Sequence, residues 1–334
     1  MFEKLLALVE RRDSFILTTH DPADADGLGA EMVMACALRA RGKRFRVINA
    51  GPVPEQFRFM DGSGLVEQWD DEGHGALPEQ SALIVLDTAD EAQMGQMREL
   101  VGRSLEAFAV DHHEPKPGLS LGGVLDPTAA STCELALEFA EAAGASIDPG
   151  SAFAAYAGIA YDTGFFAYPK VGERTFRAAR ELVRLGASPA EARRRLRESA
   201  PARALLLQKR AVESLDLRRG NRVAVQVLRR EDFAETGALS SDTDGFVNFP
   251  LMSRDVRVSL LAKETPEGKV RCSLRSKGAL DVARIAQELG GGGHANAAGF
   301  GSASDLDRTV ARALSKIAEH MERMERPGAM EAQQ

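Results

Sequence analysis

Short runs of valine, isoleucine, leucine and phenylalanine alternate with helical patterns throughout the first half of the chain. The apolar runs cover residues 15–19, 45–48, 82–86 and 107–110, and the helical patterns cover residues 2–12, 29–41, 132–143 and 151–161. Strands that alternate with helices form a mostly parallel sheet, because each crossover helix must pass over a face of that sheet. The N-terminal part is therefore predicted to be an α/β domain with a mostly parallel sheet.

Beyond Gly220 the pattern changes to alternation between apolar and polar residues. Residues 222–227, 255–260 and 269–275 alternate with the period of two that is typical of strands, and residues 282–289 and 304–325 have helical patterns. The second half is therefore predicted to be a smaller, mixed α/β domain. We expect the catalytic cleft to lie between the two domains.

These patterns divide the chain into four predicted parts. They are a catalytic metal-binding domain at 1–185, a helical linker at 186–220, a substrate-binding domain at 221–326 and a disordered tail at 327–334. Residues 173–198 contain eight arginines and four glutamates. We interpret these arginines as a solvated helix face in preference to a nucleic-acid track.

Composition excludes several classes of protein. The chain has 334 residues, a net charge of −7 and 44% hydrophobic residues, which indicates a globular protein with two domains. No stretch approaches the ~18 consecutive apolar residues that cross a bilayer, and the acidic balance argues against binding long nucleic acid by charge alone. Cys36, Cys133 and Cys272 are far apart in sequence, which favours a reducing, cytoplasmic location.

Acidic and histidine side chains follow two of the predicted strands. The segment His20-Asp-Pro-Ala-Asp24-Ala-Asp26 follows the first strand, and Asp87 follows the strand at 82–86. Open α/β sheets bind ligands at this edge, outside the carboxyl ends of their strands. Taken singly, each acid also has a structural interpretation as a turn residue or a helix cap.

A third strand, at 107–110, leads into Asp111-His112-His113. Successive side chains of an extended segment point in opposite directions, so we expect His112 and His113 to have different roles. Asp162 ends an otherwise apolar helix. Burying that carboxylate without a partner would be unfavourable, so it is a further candidate for a polar site.

Six of these residues offer nitrogen or oxygen donors that the predicted sheet brings to one edge. They are His20, Asp24, Asp26, Asp87, His112 and Asp162. Mixed nitrogen and oxygen ligands without thiolate suit Mn²⁺ or Mg²⁺ better than a structural zinc ion. Six protein ligands are too many for one catalytic ion, so we predict two ions ~3.5–4 Å apart with one bridging carboxylate, as in enzymes that hydrolyse phosphate esters.

The absence of two other sequence motifs argues against two classes of reaction. The chain has no Gly-x-x-x-x-Gly-Lys-Ser/Thr motif for transfer from ATP and no Gly-x-Ser-x-Gly motif for acyl hydrolysis. The hydroxyl-rich segment before the helix at 132–143 invites a phosphate-binding interpretation. However, Ser131-x-x-Glu134 also forms a capping box, and we favour the cap.

The second domain contains a glycine-rich motif, Leu289-Gly-Gly-Gly-Gly-His294-Ala-Asn-Ala-Ala-Gly299. Its backbone N–H groups can approach an anionic ligand closely, although a glycine run also ends helices and forms flexible links. On the preceding strand, alternation places Ser273 and Arg275 on the polar face. The guanidinium of Arg275 is suited to binding a phosphate there. The alternative is that this face of the strand is simply exposed to solvent. The candidates for substrate binding are Ser273, Arg275, Gly292, Gly293, His294 and Asn296.

Together these motifs resemble the DHH phosphoesterase superfamily with a DHHA1 C-terminal domain. Asp111-His112-His113 matches the signature, and residues 290–299 match the glycine-rich motif. Within the superfamily the chain is similar to the NrnA-type bifunctional oligoribonucleases and pAp phosphatases. That resemblance implies Mn²⁺-dependent cleavage of short RNA to 5′-mononucleotides, with Mg²⁺ as the alternative ion, and removal of the 3′-phosphate of pAp. It leaves a homodimer open.

The resemblance also implies roles for individual residues. One ion would be held by His20, Asp24 and Asp87, and the other by Asp26, Asp87, His112 and Asp162, with Asp87 bridging. His113 would contact the scissile phosphate, Asp111 would orient an imidazole, and Arg275 and His294 would hold the substrate. The family pattern Asn-Pro-Asp-Gly-Asp is replaced here by Pro22-Ala-Asp24-Ala-Asp26, so the fit of this loop to a particular substrate stays open.

Three other functions compete with this hypothesis. Within the superfamily, the rival is hydrolysis of linear or cyclic dinucleotides. An inorganic pyrophosphatase or exopolyphosphatase would use a similar metal core, but would need a clamp richer in lysine and arginine than this second domain offers. A nucleotide-sensing protein without activity would be expected to have lost metal ligands, and all six candidates are present.

Overall fold

A computed structural model describes residues 1–70, 77–115 and 121–325 of the chain. They form two compact units, the first ending at Ser199 and the second beginning at Ala200. The tail predicted at 327–334 lies outside the described residues. Within the described part, no helix combines the length and the apolarity that crossing a bilayer requires.

The first unit contains a parallel sheet, as predicted. Its described strands are β1 (Ser14–Thr18), β2 (Arg44–Asn49), β3 (Val66–Gln68), β4 (Ala82–Leu86), β5 (Glu106–Asp111) and β6 (Gly123–Leu125). They lie in the order β3-β2-β1-β4-β5-β6, and each neighbouring pair is parallel. The edge strands β3 and β6 have three residues each, too few to show a period in the sequence, and they were not predicted.

Both faces of this sheet are buried. Ile84 of β4 packs in one apolar cluster, whereas its neighbours Leu83 and Val85 pack in another on the opposite face. A strand covered on both faces reads as a continuous apolar run, which explains why β4 was predicted with its observed bounds. The α/β class of this unit is confirmed.

The strand order creates a switch point beside β1. The chain leaves β1 for β2 on one side of it and later places β4 on its other side. Loops that leave neighbouring strands in opposite directions open a crevice at their carboxyl ends, where α/β proteins bind ligands. The residues that follow β1 and β4 therefore border a natural site.

Helices cover the faces of the sheet. Those of the first unit are α1 (Glu3–Arg11), α2 (Ala25–Ala40), α3 (Thr132–Ala142), α4 (Pro149–Asp162), α5 (Glu173–Arg184) and α6 (Pro189–Arg197). Helix α2 begins at Ala25 rather than at residue 29, because the Asp24 carboxylate caps it. The predicted caps Ser131 and Ser188 are confirmed, since their hydroxyls accept hydrogen bonds from the backbone of Glu134 and Glu191.

Helices α2 and α4 pack closely through small residues. A Cβ atom added to Gly29 would lie 2.7 Å from Cys133 Sγ, and one added to Gly158 would lie 2.6 Å from the same sulfur and 2.8 Å from the carbonyl oxygen of Ala25. Only glycine fits at such distances. This contact holds the first turn of α2 against the C-terminal part of α4.

The second unit contains a smaller mixed sheet, as predicted. Its described strands are β7 (Asp216–Arg218), β8 (Val223–Leu228), β9 (Val258–Glu264), β10 (Val270–Ser276), β11 (Gly292–His294) and β12 (Ala297–Ser302), in the order β11-β12-β10-β9-β8-β7. Only the pair of β8 and β9 is parallel among these strands. Its helices are α7 (Ala202–Glu213), α8 (Arg230–Thr236), α9 (Val282–Glu288) and α10 (Leu306–Glu325).

Two features of the second unit differ from the sequence prediction. Strand β9 begins at Val258, three residues after the predicted start at 255, because Val258 is the first residue that pairs with β8 and β10. The glycine run is part of a hairpin, in which Gly293 pairs with Ala298, and is not a flexible link. Gly293 has φ of 139°, which L side chains rarely adopt.

The close contact at Gly158 generates a prediction. We expect Gly158→Ala to lower the free energy of unfolding by about 1–3 kcal/mol, the usual effect of overpacking a core. Urea denaturation measures this change. Gly62→Ala is the control, since no atom lies within 4 Å of its added Cβ. Equal stability of the two variants would contradict the predicted packing.

Candidate metal centre

The six predicted donors meet at one edge of the parallel sheet. His20, Asp87 and His112 follow the carboxyl ends of β1, β4 and β5, while Asp26 lies in the first turn of α2 and Asp162 is the last residue of α4. Their donor atoms form groups whose members lie within 4.8 Å of one another. These groups are His20–Asp24–Asp87, Asp26–His112–Asp162 and Asp87–His112–His113.

The first group surrounds His20. Its Nε2 atom lies 3.6 Å from Asp24 Oδ2 and 3.5 Å from Asp87 Oδ2. The other oxygen of Asp24, Oδ1, accepts hydrogen bonds from the backbone N–H groups of Asp26 and Gly27 at 2.9 and 3.2 Å. Asp24 thus caps a helix with one oxygen and faces a histidine with the other, so its two interpretations from sequence do not exclude each other.

The second group surrounds His112. Its Nε2 atom lies 3.4 Å from Asp162 Oδ2, 3.8 Å from Asp26 Oδ2 and 3.5 Å from Asp87 Oδ1. Asp87 therefore lies beside both histidines, with Oδ2 toward His20 and Oδ1 toward His112. This is the arrangement of a carboxylate that lies between two cation sites.

Asp87 is held in an unusual backbone conformation. Its φ of 64° lies in the left-handed region, which aspartate tolerates better than most residues. Its N–H group donates to the carbonyl of Val110 at 2.9 Å, and the hydroxyl of Thr132 donates to Oδ1 at 2.8 Å. Such strain, of order 1–3 kcal/mol, concentrates at functional sites.

Asp26 is fully buried and is bound by the start of helix α3. The N–H groups of Thr132 and Cys133 donate to its two carboxylate oxygens at 2.6 and 3.0 Å. A helix N-terminus carries partial positive charge, so it stabilises this carboxylate. Asp162 has the opposite placement, at the C-terminal end of α4, where the helix dipole disfavours a negative charge.

The site holds more negative charge than the protein alone compensates. Burial, together with the neighbouring carboxylates, raises the pKa of Asp162 to about 8 and that of Asp87 to about 6, and raises the pKa of Asp26 well above its ordinary value. A divalent cation would remove this repulsion. The cluster therefore has the charge and the donor atoms that could hold divalent cations.

His112 shows that the donor set fits a metal ion. Burial, followed by the charge of His113, lowers the pKa of His112 to about 3, so its imidazole is neutral at pH 7. Its Nε2 atom is buried and has no hydrogen-bond partner among the described residues. A neutral imidazole nitrogen aimed at three carboxylates has the protonation state and the surroundings that a metal ligand requires.

His113 belongs to the third group, with its Nδ1 atom 3.9 Å from Asp87 Oδ1, but its nearest partner is Asp111. Its Nδ1 atom lies 2.7 Å from Asp111 Oδ1, and 35% of its side chain is exposed. Burial alone would lower the pKa of His113, but Asp111 and Asp87 outweigh it and raise that pKa to about 9. The adjacent histidines therefore have different partners, and their different roles stay a prediction.

Several residues at the site were not singled out from sequence. Thr132 and Cys133 supply hydrogen bonds to the aspartates, and the ammonium of Lys170 donates to the carbonyl of His112 at 3.3 Å. Below the site, Asn49 accepts from Thr19 N–H through Oδ1 at 3.1 Å and donates to the buried Glu31 at 3.2 Å. These contacts join residues far apart in sequence, so no local pattern marks them.

The candidate substrate-binding residues lie in the second unit. Ser273 and Arg275 are half-buried on β10, and Arg275 has no carboxylate partner within the described part of the chain. The amide of Asn296 donates to Ser276 Oγ at 2.9 Å and to the carbonyl of Gly278 at 3.1 Å, which gives Asn296 a structural role. The side chain of His294 lies outside what the structure describes.

In the glycine-rich segment of the second unit, packing requires glycine at some positions and not at others. A Cβ on Gly291 would lie 2.1 Å from the carbonyl oxygen of Gly299, and one on Gly293 would lie 2.5 Å from that of Ala297. Gly292 has open space around it and a φ that other residues adopt. The hairpin therefore requires Gly291 and Gly293 for its own packing, whereas Gly292 has no such requirement.

Comparison with protein families agrees with both units. The N-terminal domain of the DHH family matches residues 14–159, and the DHHA1 domain matches residues 220–323. Between them the two matches cover most of the chain. The first unit therefore contains the N-terminal domain of the DHH family, and the second unit contains a DHHA1 domain.

Individual relatives refine this placement. A bifunctional oligoribonuclease and PAP phosphatase of Thermus thermophilus is 29% identical over 310 residues, which are 92% of this chain and 90% of the relative. A cyclic-di-AMP phosphodiesterase of Listeria monocytogenes is 28% identical over 94% of this chain, but only 48% of that relative is matched. The crystal structure of an exopolyphosphatase-related protein from Bacteroides fragilis has a TM-score of 0.91 at 23% identity over 97% of each chain, which shows the shared fold.

The charge balance of the cluster predicts a specific response to metal. We expect Mn²⁺ to raise the thermal unfolding midpoint of the wild type, because a ligand that binds only the folded state stabilises it. Asp162→Asn should weaken Mn²⁺ binding by more than about tenfold. The same variant without metal should be at least as stable as the wild type at pH 7. Asp162, with its pKa raised to about 8, must take up a proton on folding, and asparagine removes that cost.

A matched control lies on the same helix. Asp148 caps the N-terminal end of α4, and asparagine is an equally good cap, so Asp148→Asn should respond to Mn²⁺ like the wild type. Calorimetric titration with Mn²⁺ and thermal scans measure both properties. If the two variants bind Mn²⁺ equally, Asp162 is not part of a metal site.

Proposed function

We propose that the protein is a metal-dependent phosphodiesterase that degrades short oligoribonucleotides to 5′-mononucleotides and removes the 3′-phosphate of pAp. The observation that carries this proposal is the position of Asp87 between the His20 and His112 groups, which suits two cations. The full-length match to the Thermus relative, a bifunctional oligoribonuclease and PAP phosphatase, supports this substrate class.

The donor atoms support two cation sites with a shared ligand. We assign His20, Asp24 and Asp87 to one ion, and a second set to the other ion. That second set is the group Asp26, His112 and Asp162, together with Asp87, whose Oδ1 atom lies 3.5 Å from His112 Nε2. Nitrogen and oxygen donors without thiolate favour Mn²⁺, with Mg²⁺ as the alternative.

The chain's own residues position the substrate and protons. These residues would hold two ions, which when bound would acidify a water molecule and offset charge on the phosphoryl oxygens. Because the pKa of Asp111 is lowered despite its burial, chiefly by the bond to His113, its carboxylate is ionised and accepts the Nδ1 proton of His113. That bond orients the imidazolium, and we assign its Nε2–H group to the scissile phosphate.

The second unit is assigned to binding the substrate's phosphate. Arg275 offers a guanidinium without a carboxylate partner among the described residues, beside the hydroxyl of Ser273. Packing does not require glycine at Gly292. The lack of a side chain there would let a ligand approach the backbone closely. Gly293, His294 and Asn296 complete the candidate segment.

Substrate comparison tests this function directly. With Mn²⁺ we expect the wild type to release mononucleotide from a dinucleotide and phosphate from pAp, and to act poorly on a 24-mer, cyclic di-AMP, pyrophosphate and polyphosphate. Asp87→Asn should lower kcat/KM on both substrates by more than about 100-fold. Loss of a residue that only supports a metal ligand lowers activity by about 10- to 100-fold, and Asp87 is assigned as a ligand itself. Preference for the 24-mer, for cyclic di-AMP or for an inorganic chain would contradict the proposal.

Arg275 allows a sharper test of the substrate-binding unit. Arg275→Met should lower kcat/KM for pAp and for a dinucleotide by about 10- to 100-fold, since a hydrogen bond to a charged group contributes about 1.5–3 kcal/mol. Arg271 lies on the same face of β10, four residues away, and is exposed. Arg271→Met is the matched control and should retain wild-type kinetics. Equal losses in the two variants would contradict a specific role for Arg275.

A further inference from the structure

The segment at 163–170 is attached to the metal centre at both ends. It follows Asp162, a donor of the second group, and it ends at Lys170, whose ammonium donates to the carbonyl of His112 at 3.3 Å. An extended chain spans at most ~3.3–3.6 Å per residue. The middle of this segment therefore lies within about 14 Å of Asp162 along the backbone.

Two aromatic residues in this segment have strained backbones. Phe165 and Phe166 have φ of 58° and 65°, a conformation that is rare for bulky residues. The surroundings enforce it, since Phe165 N–H donates to the carbonyl of Ala160 at 2.7 Å and Phe166 N–H donates to Thr163 Oγ1 at 3.1 Å. The guanidinium of Arg197 also lies over the Phe165 ring, 5.3 Å from its centroid.

The strained turn presents an aromatic stack at the surface. The ring of Phe166 stacks on that of Phe176 with centroids 5.7 Å apart and planes 20° apart, and the buried Tyr156 lies behind it at 5.8 Å. Phe176 is 57% exposed, and Tyr168 on the same segment is 53% exposed. Fixed aromatic rings that remain exposed are typical of surfaces that stack on a planar ligand.

We propose that Phe166 and Phe176 form a stacking platform for the nucleobase next to the hydrolysed phosphate. This inference rests on the proposed function and adds how the base is held. We infer a nucleobase because the segment at 163–170 is attached to the metal centre. A nucleotide whose phosphate is bound at that centre would place its nucleoside near this segment. Stacking on a ring face is independent of the base's hydrogen-bonding pattern, so such a platform accepts any base and favours the larger purines.

Binding of a product and of its base-free counterpart tests the platform. With the Mn²⁺-loaded protein, we expect AMP to bind more tightly than ribose 5-phosphate. Phe176→Ala should weaken AMP binding by about 5- to 100-fold, the range for losing one base–aromatic stack. It should leave ribose 5-phosphate binding unchanged, and Phe176→Trp should keep AMP binding. Isothermal titration calorimetry measures all four affinities.

Val183→Ala is the matched control for loss of exposed apolar surface. Val183 is 43% exposed on the same helix, α5, and its variant should bind both ligands like the wild type. Equal weakening of AMP and ribose 5-phosphate in Phe176→Ala, or no weakening of either, would overturn the platform. Failure of the wild type to cleave pAp and dinucleotides would refute the proposed function separately, because these binding measurements do not depend on turnover.

Discussion

The structure depends on a concentration of negative charge at one edge of the parallel sheet. Four aspartates meet there, and two of them, Asp26 and Asp87, are almost completely buried. Burial and mutual repulsion raise the pKa of Asp26, Asp87 and Asp162, which means that their ionised forms are unfavourable without further positive charge. Two divalent cations would supply that charge. His20 and His112 lie on either side of Asp87, so that each could bind one of the two cations.

Helix ends and close helix packing hold these carboxylates in place. The N-terminus of α3 binds Asp26 through two N–H groups, whereas Asp162 lies at the unfavourable end of α4. The close packing at Gly158 keeps these two helix ends near each other. His112 is neutral and His113 is protonated at pH 7, which suits the metal-ligand role that we propose for the first and the phosphate contact that we propose for the second. The aromatic segment that follows Asp162 is attached to the same edge, where we propose that it stacks on a nucleobase.

Much of this was predictable because buried parallel strands and their terminal acids leave local patterns. Strand β4 was predicted with its observed bounds, and the six donors were predicted to meet at one edge, which the donor groups confirm. The three-residue edge strands carry no period, and the glycine run forms a hairpin through pairing with β12 that no local pattern reveals. The left-handed backbone of Asp87 and the hydrogen bonds of Thr132 depend on tertiary contacts, so the sequence could not show them.

Anomalous diffraction from crystals grown with Mn²⁺ tests the central claim most directly. Two strong anomalous peaks should appear at the carboxyl edge of the parallel sheet, separated by ~3.5–4 Å, with the carboxylate of Asp87 between them. A single peak without Asp87 as a ligand, or no peak at saturating Mn²⁺, would contradict the claim that this buried cluster of aspartates and histidines is a two-metal centre.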